Sequence, residues 1–183
     1  MLVETTDVDN RQGALHQWKA PELTLRLACA NLLPKVARLA RAYPYRHSVL
    51  GGASAGDYVE KLAFQSQHAG VGWYFVDRMG EALAAAHLAI YGLGDGSGHT
   101  LWKIRHPMLA AGSPADSLTF LFEGLADTAI RLRPGTAKIV MFLSEHEQEV
   151  IAQAANGGFK REGRFESYYR LGETCFVYSR TVI

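Results

Sequence analysis

The sequence has little cysteine. Cys29 and Cys175 lie far apart and in no metal-ligand spacing. Two such residues make a poor disulfide framework and read as reduced thiols of a cytoplasmic protein. Net charge is nearly absent: 19 basic against 18 acidic residues leave +1. That balance provides no electrostatic footprint for nucleic acid or for an anionic membrane surface. No apolar run approaches the ~20 residues of a membrane-crossing helix. The opening MLVETTDVDNRQG is polar and acidic, unlike the start of a secretory signal. Internal repeats and low-complexity tracts are absent. The seven histidines are scattered, so no metal site is expected, and no Ser-His-Asp arrangement can be read.

What is present is enough chain for one domain with a substantial core. Its 183 residues are 48% hydrophobic and 20% charged, ordinary values for a globular protein. Residues 1–21 lack periodicity and read as an N-terminal extension, leaving 22–183 as the domain. LTLRLA (23–28) alternates as a strand does, and NLLPKVARLARAY follows with helical spacing and Pro34 in its first turn. A second helix begins with Ser54 and Asp57 in a capping arrangement. Three strand candidates follow: VGWYFVDR, EALAAAHLAIYG and HTLWKIRHPML. The first two are joined at Met79-Gly80, the last two by the glycine-rich GLGDGSG. SPADSLTFLFEGLADTAIRL is the strongest helix signal, with Ser113 as its cap and Pro114 at its first position. TAKIVMFLS reads as a strand buried on both faces. SEHEQEVIAQAAN reads as a helix capped by Ser144 and Glu147. FESYYRL and CFVYSRTV close the chain as two further strands.

The order is β-α-α-β-β-β-α-β-α-β-β, an α/β (α+β) mixed sheet of about seven strands flanked by about four helices. That order, ending in AANGGFKREGRFESYYRLGETCFVYSR, resembles the GNAT acyltransferase superfamily. Gly158, Phe159, Glu162 and Gly163 carry the match in the tail, and the resemblance spans roughly residues 22–182. It implies that the fourth strand splays from the fifth. The arm of an acyl-CoA, acetyl-CoA by default, would then lie in the gap, with its pyrophosphate on the loop before the next helix. Free N–H groups and the helix dipole attract an anion there. The loop reads HPMLAAGSPADSL and lacks the family's basic or amide anchor. Pro107, Met108, Leu109, Ala111, Gly112, Ser113 and Ala115 become the candidate donor-binding residues, chiefly through the N–H groups of Gly112, Ser113 and Ala115. Pro114 donates none, and Asp116 places a negative charge in the first helical turn. An acyl carrier protein as donor, or a domain that has lost catalysis, stand as alternatives.

The family's thioester-facing asparagine and tyrosine fall on Glu147 and Ala154, so neither role is filled in its usual place. His106 is the first candidate for a base, because it closes a strand carrying Trp102 and Ile104, read as sharing its face. Glu145 follows the fifth strand, beside the expected gap. Tyr168 or Tyr169 could donate a proton to the leaving thiolate; strand alternation would turn them to opposite sides. His87 lies on an apolar face and reads as a core residue. Tyr43, Tyr45, Arg46 and His47 fall where the acceptor pocket is shaped. The small residues of ALAAAHLA leave room either for an acyl chain or for a close-packed helix. The expected acceptor is an amine on a small molecule, peptide or protein, with no metal involved. The final strands offer an edge for a homodimer.

Overall fold

The computed structural model describes residues 22–43, 54–65, 70–93, 98–114 and 116–183. The extension over 1–21 lies outside these, as do Tyr45, Arg46, His47, Ala115 and the tip of the glycine-rich turn. The elements follow the expected order. They are β1 (Thr24–Leu27), α1 (Leu33–Ala42), α2 (Ala55–Gln65), β2 (Gly72–Arg78), β3 (Glu81–Leu93), β4 (His99–Leu109), α3 (Asp116–Leu132), β5 (Thr136–Ser144), α4 (Gln148–Asn156), β6 (Lys160–Glu166) and β7 (Thr174–Val182). One seven-stranded sheet has the order β1-β2-β3-β4-β5-β7-β6. All neighbours are antiparallel except β4 and β5, which the α3 crossover joins in parallel.

Local chemistry sets several boundaries. Pro34 sits at the start of α1, where a missing N–H costs least. The Asp57 N–H donates to Ser54 Oγ at 3.1 Å and caps α2. Met79 and Gly80 both take positive φ, 54° and 89°, as a two-residue hairpin turn demands.

The last strands depart from the sequence reading. Residues 167–173, which include Ser167–Leu171 of the segment read as strand, form the turn between β6 and β7. Backbone bonds from Ser167 N–H to Glu173 O and from Glu173 N–H to Arg170 O close it. The strand is instead KREGRFE, exposed along most of its length. A sheet-edge strand that buries neither face shows no apolar alternation to read.

The sheet register assigns the faces. Tyr74, Ala86, Leu88, Ile104, Met141 and Tyr178 lie on one side, under α3 and α4. There Phe122 of α3 packs against Phe159 at 5.7 Å, and Arg180 donates to the Gly157 carbonyl at the end of α4. Trp73, Phe75, Ala85 and His87 lie on the other side, under α1 and α2. Trp73 Nε1–H donates to the Val59 carbonyl of α2 at 3.0 Å, and Lys35 of α1 sits over Phe75. Ala84, Ala85 and Ala86 are fully buried between these layers. The small-residue run of β3 therefore serves close helix packing on both faces. No helix among the described residues is long and apolar enough to cross a membrane.

Candidate active site

Strands β4 and β5 pair from His99–Thr136 to Ile104–Met141 and no further. Beyond that point Arg105–Leu109 is held by β3 alone, and Phe142–Ser144 by β7 alone. The two strands thus part near the C-terminal end of the sheet. Each presents an edge of backbone groups to the gap, and such groups seek partners.

A β-bulge sets the parting. Ala85 pairs with Met108, but His87 pairs with Arg105, so His106 and Pro107 together oppose Ala86. His106 takes φ 52°, the left-handed region, at a cost of about 1–2 kcal/mol for a residue with a side chain. The bulge also reverses the alternation. His106 does not share the face of Trp102 and Ile104. It turns toward α2, where its Nε2 lies 2.7 Å from the Tyr58 hydroxyl and its ring 6.3 Å from that of Trp73. Burial pushes its pKa down to about 3, with His87, Arg105 and Lys103 adding to the shift. His87 is buried edge-on to Trp73 at 5.3 Å, and burial lowers its pKa to about 4. Both imidazoles are neutral at physiological pH.

Two cavities meet on the loop after β4. One, of about 450 Å³, runs between Leu109–Ser113, Tyr43 at the end of α1, and His146–Val150 at the start of α4. The other, of about 400 Å³, lies on the far side of the same loop and is lined by Lys35, Arg38 and Arg78. The loop is tightly turned. Ala110 N–H donates to Leu83 O, and Ser113 N–H donates to Ala110 O. Ser113 therefore offers its hydroxyl rather than its N–H. Ala111 and Gly112, the latter at φ +77° with open space beside it, carry the remaining donors. Pro107 and Met108 are buried in the bulge, and Leu109 lines the first cavity. Cations missing from the loop's own sequence thus stand beside it, supplied by α1 and by the β2–β3 hairpin.

Glu147 lies at the heart of the first cavity. Its Oε1 accepts from the Tyr43 hydroxyl at 2.7 Å and its Oε2 from the Ser144 N–H at 2.7 Å. The expected capping box is therefore half formed, and helix α4 starts one residue after Glu147. Burial raises the Glu147 pKa, partly opposed by these two bonds. Glu145 is committed elsewhere: its N–H donates to Thr174 O, and its carboxylate accepts from Thr174 N–H at 2.8 Å, pinning β7.

Tyr168 and Tyr169 lie in the β6–β7 turn, where alternation has no hold. Their rings touch edge to face at 4.8 Å. Tyr169 bonds the Cys175 thiol and makes a long 3.4 Å contact with the Phe142 carbonyl. Burial raises its pKa. Tyr168 stacks on Phe142 at 5.5 Å and is half exposed. The sequence reading passed over Tyr58, Lys103, Arg105 and Glu173. Only Lys103 and Arg105 left a signal, as charges alternating with Trp102 and Ile104.

No protein-family model and no curated protein sequence matches the chain. Solved structures do. An N-acetyltransferase from Staphylococcus aureus Mu50 aligns with TM-score 0.67 at 11% identity, over 87% of this chain and 98% of that one. The ribosomal-protein-alanine N-acetyltransferase of Brucella melitensis gives 0.66 at 12%, over 87% and 99%. The spermidine N-acetyltransferase of Vibrio cholerae, solved with CoA and spermine, gives 0.64 at 14%, over 87% and 95%. The chain has the fold of the GNAT N-acetyltransferases.

The buried imidazoles couple stability to pH. Their folded pKa values lie below the ordinary 6.5, at about 4 and about 3, so between these limits the unfolded chain holds more protons. Unfolding free energy should be highest above 6.5 and fall as pH drops through that window. Glu147, raised from 4.5, acts oppositely and removes stability as pH rises through its folded value. Denaturant unfolding over this range should show the loss on the acid side. A His87→Gln/His106→Gln variant should show a shallower slope, and an equal slope would contradict the assignment.

Proposed function

We propose that the protein is an N-acyltransferase that passes an acyl group from an acyl-CoA thioester directly to an amine. The parting of β4 and β5 beyond Ile104–Met141 carries this reading, because it leaves backbone groups of both strands available to a bound thioester, and the freed β4 segment ends at Leu109 in the wall of a cavity. An N–H aimed at the developing oxyanion lowers the barrier to attack. The donor's phosphates fit the far side of the loop. There Lys35, Arg38 and Arg78 line the cavity with one carboxylate, Glu81, and Lys35 also pairs with Asp77 at 3.7 Å, whereas Glu147 and Glu149 line the near side. Acetyl is the favoured acyl group, since Ala84–Ala86 are covered by helices and leave no channel there.

Tyr43 and Glu147 supply the proton chemistry. Glu147, its pKa raised by burial, takes the proton of the attacking amine. Tyr43, bonded to it, protonates the leaving sulfur and is restored through Glu147. Tyr43 thereby fills the acid role that Ala154 cannot. His106, held neutral with a pKa of about 3, is too weak a base for an amine and instead positions the bulge with Tyr58.

Calorimetric titration with acetyl-CoA should give binding in the micromolar range, weakened about tenfold or more in Arg38→Glu and Arg78→Glu. A short acetyl thioester lacking the nucleotide should not feel these changes. Equal effects on both donors would remove the cations from the phosphate role. In thioester-release assays Tyr43→Phe should lower kcat by about 100-fold. A larger loss in His106→Gln than in Tyr43→Phe would return the base role to His106.

A further inference from the structure

Two cations stand on the open part of the sheet without a counter-ion among the described residues. Lys103 and Arg105 alternate with Trp102 and Ile104, and the register sets them on the face of Ala89 and His87, next to the point where β4 and β5 part. Both are half-buried. The ion pairs among the described residues lie elsewhere: Arg26 and Lys35 with Asp77, Lys138 with Glu162, Arg164 with Glu166, Arg170 with Glu173. Neither Lys103 nor Arg105 has a hydrogen bond or ion pair with any described residue. Lys103 Nζ instead rests over the rings of Phe142 at 4.2 Å and Tyr91 at 5.3 Å. Burial lowers its pKa, and the charge of Arg105 adds to this. Two like charges withdrawn from water and left unpaired are costly unless an anion joins them.

The surroundings describe the rest of that anion. Phe142, Phe165 and Tyr168 form a shelf, with centroids 5.5–6.2 Å apart, and Phe165 and Tyr168 are half open to solvent. Two buried carboxylates, Glu147 and Glu173, act on the nearby Cys175 thiol. Glu173 Oε1 meets no hydrogen-bond donor among the described residues. The Cys175 thiol registers both ends: burial raises its pKa most, Glu147 and Glu173 raise it further, and Lys103 lowers it. Cys175, paired in register with Phe165 of the shelf, thus lies within the fields of Lys103 and of both carboxylates.

We propose that the acceptor is a free amino acid with a large apolar or aromatic side chain. Its carboxylate binds Lys103 and Arg105, its side chain lies on the Phe142–Phe165–Tyr168 shelf, and its amine faces Glu147 and Glu173. This rests on the acyltransferase reading and narrows it. In the reaction the amine nitrogen bonds to the thioester carbonyl carbon, the carbon–sulfur bond breaks, and the amine's proton ends on the departing thiol.

The test is thioester release from acetyl-CoA with phenylalanine, tryptophan, phenylalaninamide, phenethylamine and spermidine. Phenylalanine or tryptophan should exceed phenylalaninamide and phenethylamine by about tenfold or more in kcat/KM, because a site built for a charged group rejects the analogue lacking it. Lys103→Met and Arg105→Met should erase that preference while acetyl-CoA binding is unchanged, and Arg105→Lys should restore part of it. Equal or better turnover of spermidine or phenethylamine overturns the proposal and leaves the acyltransferase reading standing. If no thioester is consumed with any amine, calorimetric binding of phenylalanine and of N-acetylphenylalanine decides the matter separately. Binding lost in Arg105→Met supports the anion site, and no binding of either overturns it.

Discussion

The structure depends on one interrupted strand pairing. A parallel pair normally runs until one strand ends, yet here β4 and β5 stop at Ile104–Met141 with several residues left on each. The bulge at His106 explains how the separation is held. An extra residue bends β4 away from β5 and toward β3. The left-handed backbone of His106 and the following Pro107 would be unfavourable in an ordinary strand, and they persist because Tyr58 and Trp73 fix the imidazole from the helix side. Local strain at the bulge and the opening of the cleft are two aspects of the same arrangement.

Electrostatics divides the opening into territories. On the α1 side of the loop after β4, Lys35, Arg38 and Arg78 gather positive charge. On the α4 side, Glu147 and Glu149 gather negative charge. Beside the gap, Lys103 faces a shelf of rings. A chain whose net charge is +1 therefore carries strong local fields that cancel only in the sum.

Much of the fold was legible because its buried elements announce themselves. The continuous apolar run of β5 and the stripe of α3 gave the right elements, with β5 matched end to end at Thr136–Ser144. Strand β6 was misplaced because an exposed edge strand has no buried face to impose a pattern. The site was less legible. The reach of Tyr43 across 104 residues to Glu147 is tertiary, and no spacing reveals it. The facing of His106 was misread because alternation assumes an unbroken strand, and one inserted residue inverts every inference beyond it. The loop after β4 carries no basic residue of its own. The cations beside it come from α1 and from the β2–β3 hairpin, far away in the chain.

The proposed activity requires that the gap between β4 and β5 receive a thioester arm. Amide hydrogen exchange, with and without acetyl-CoA, measures this at the backbone groups concerned. Protection confined to Arg105–Ser113 and Met141–Glu147, with β1 and β2 unchanged, is the predicted result. Unaltered exchange along those two segments at a saturating donor concentration would contradict it.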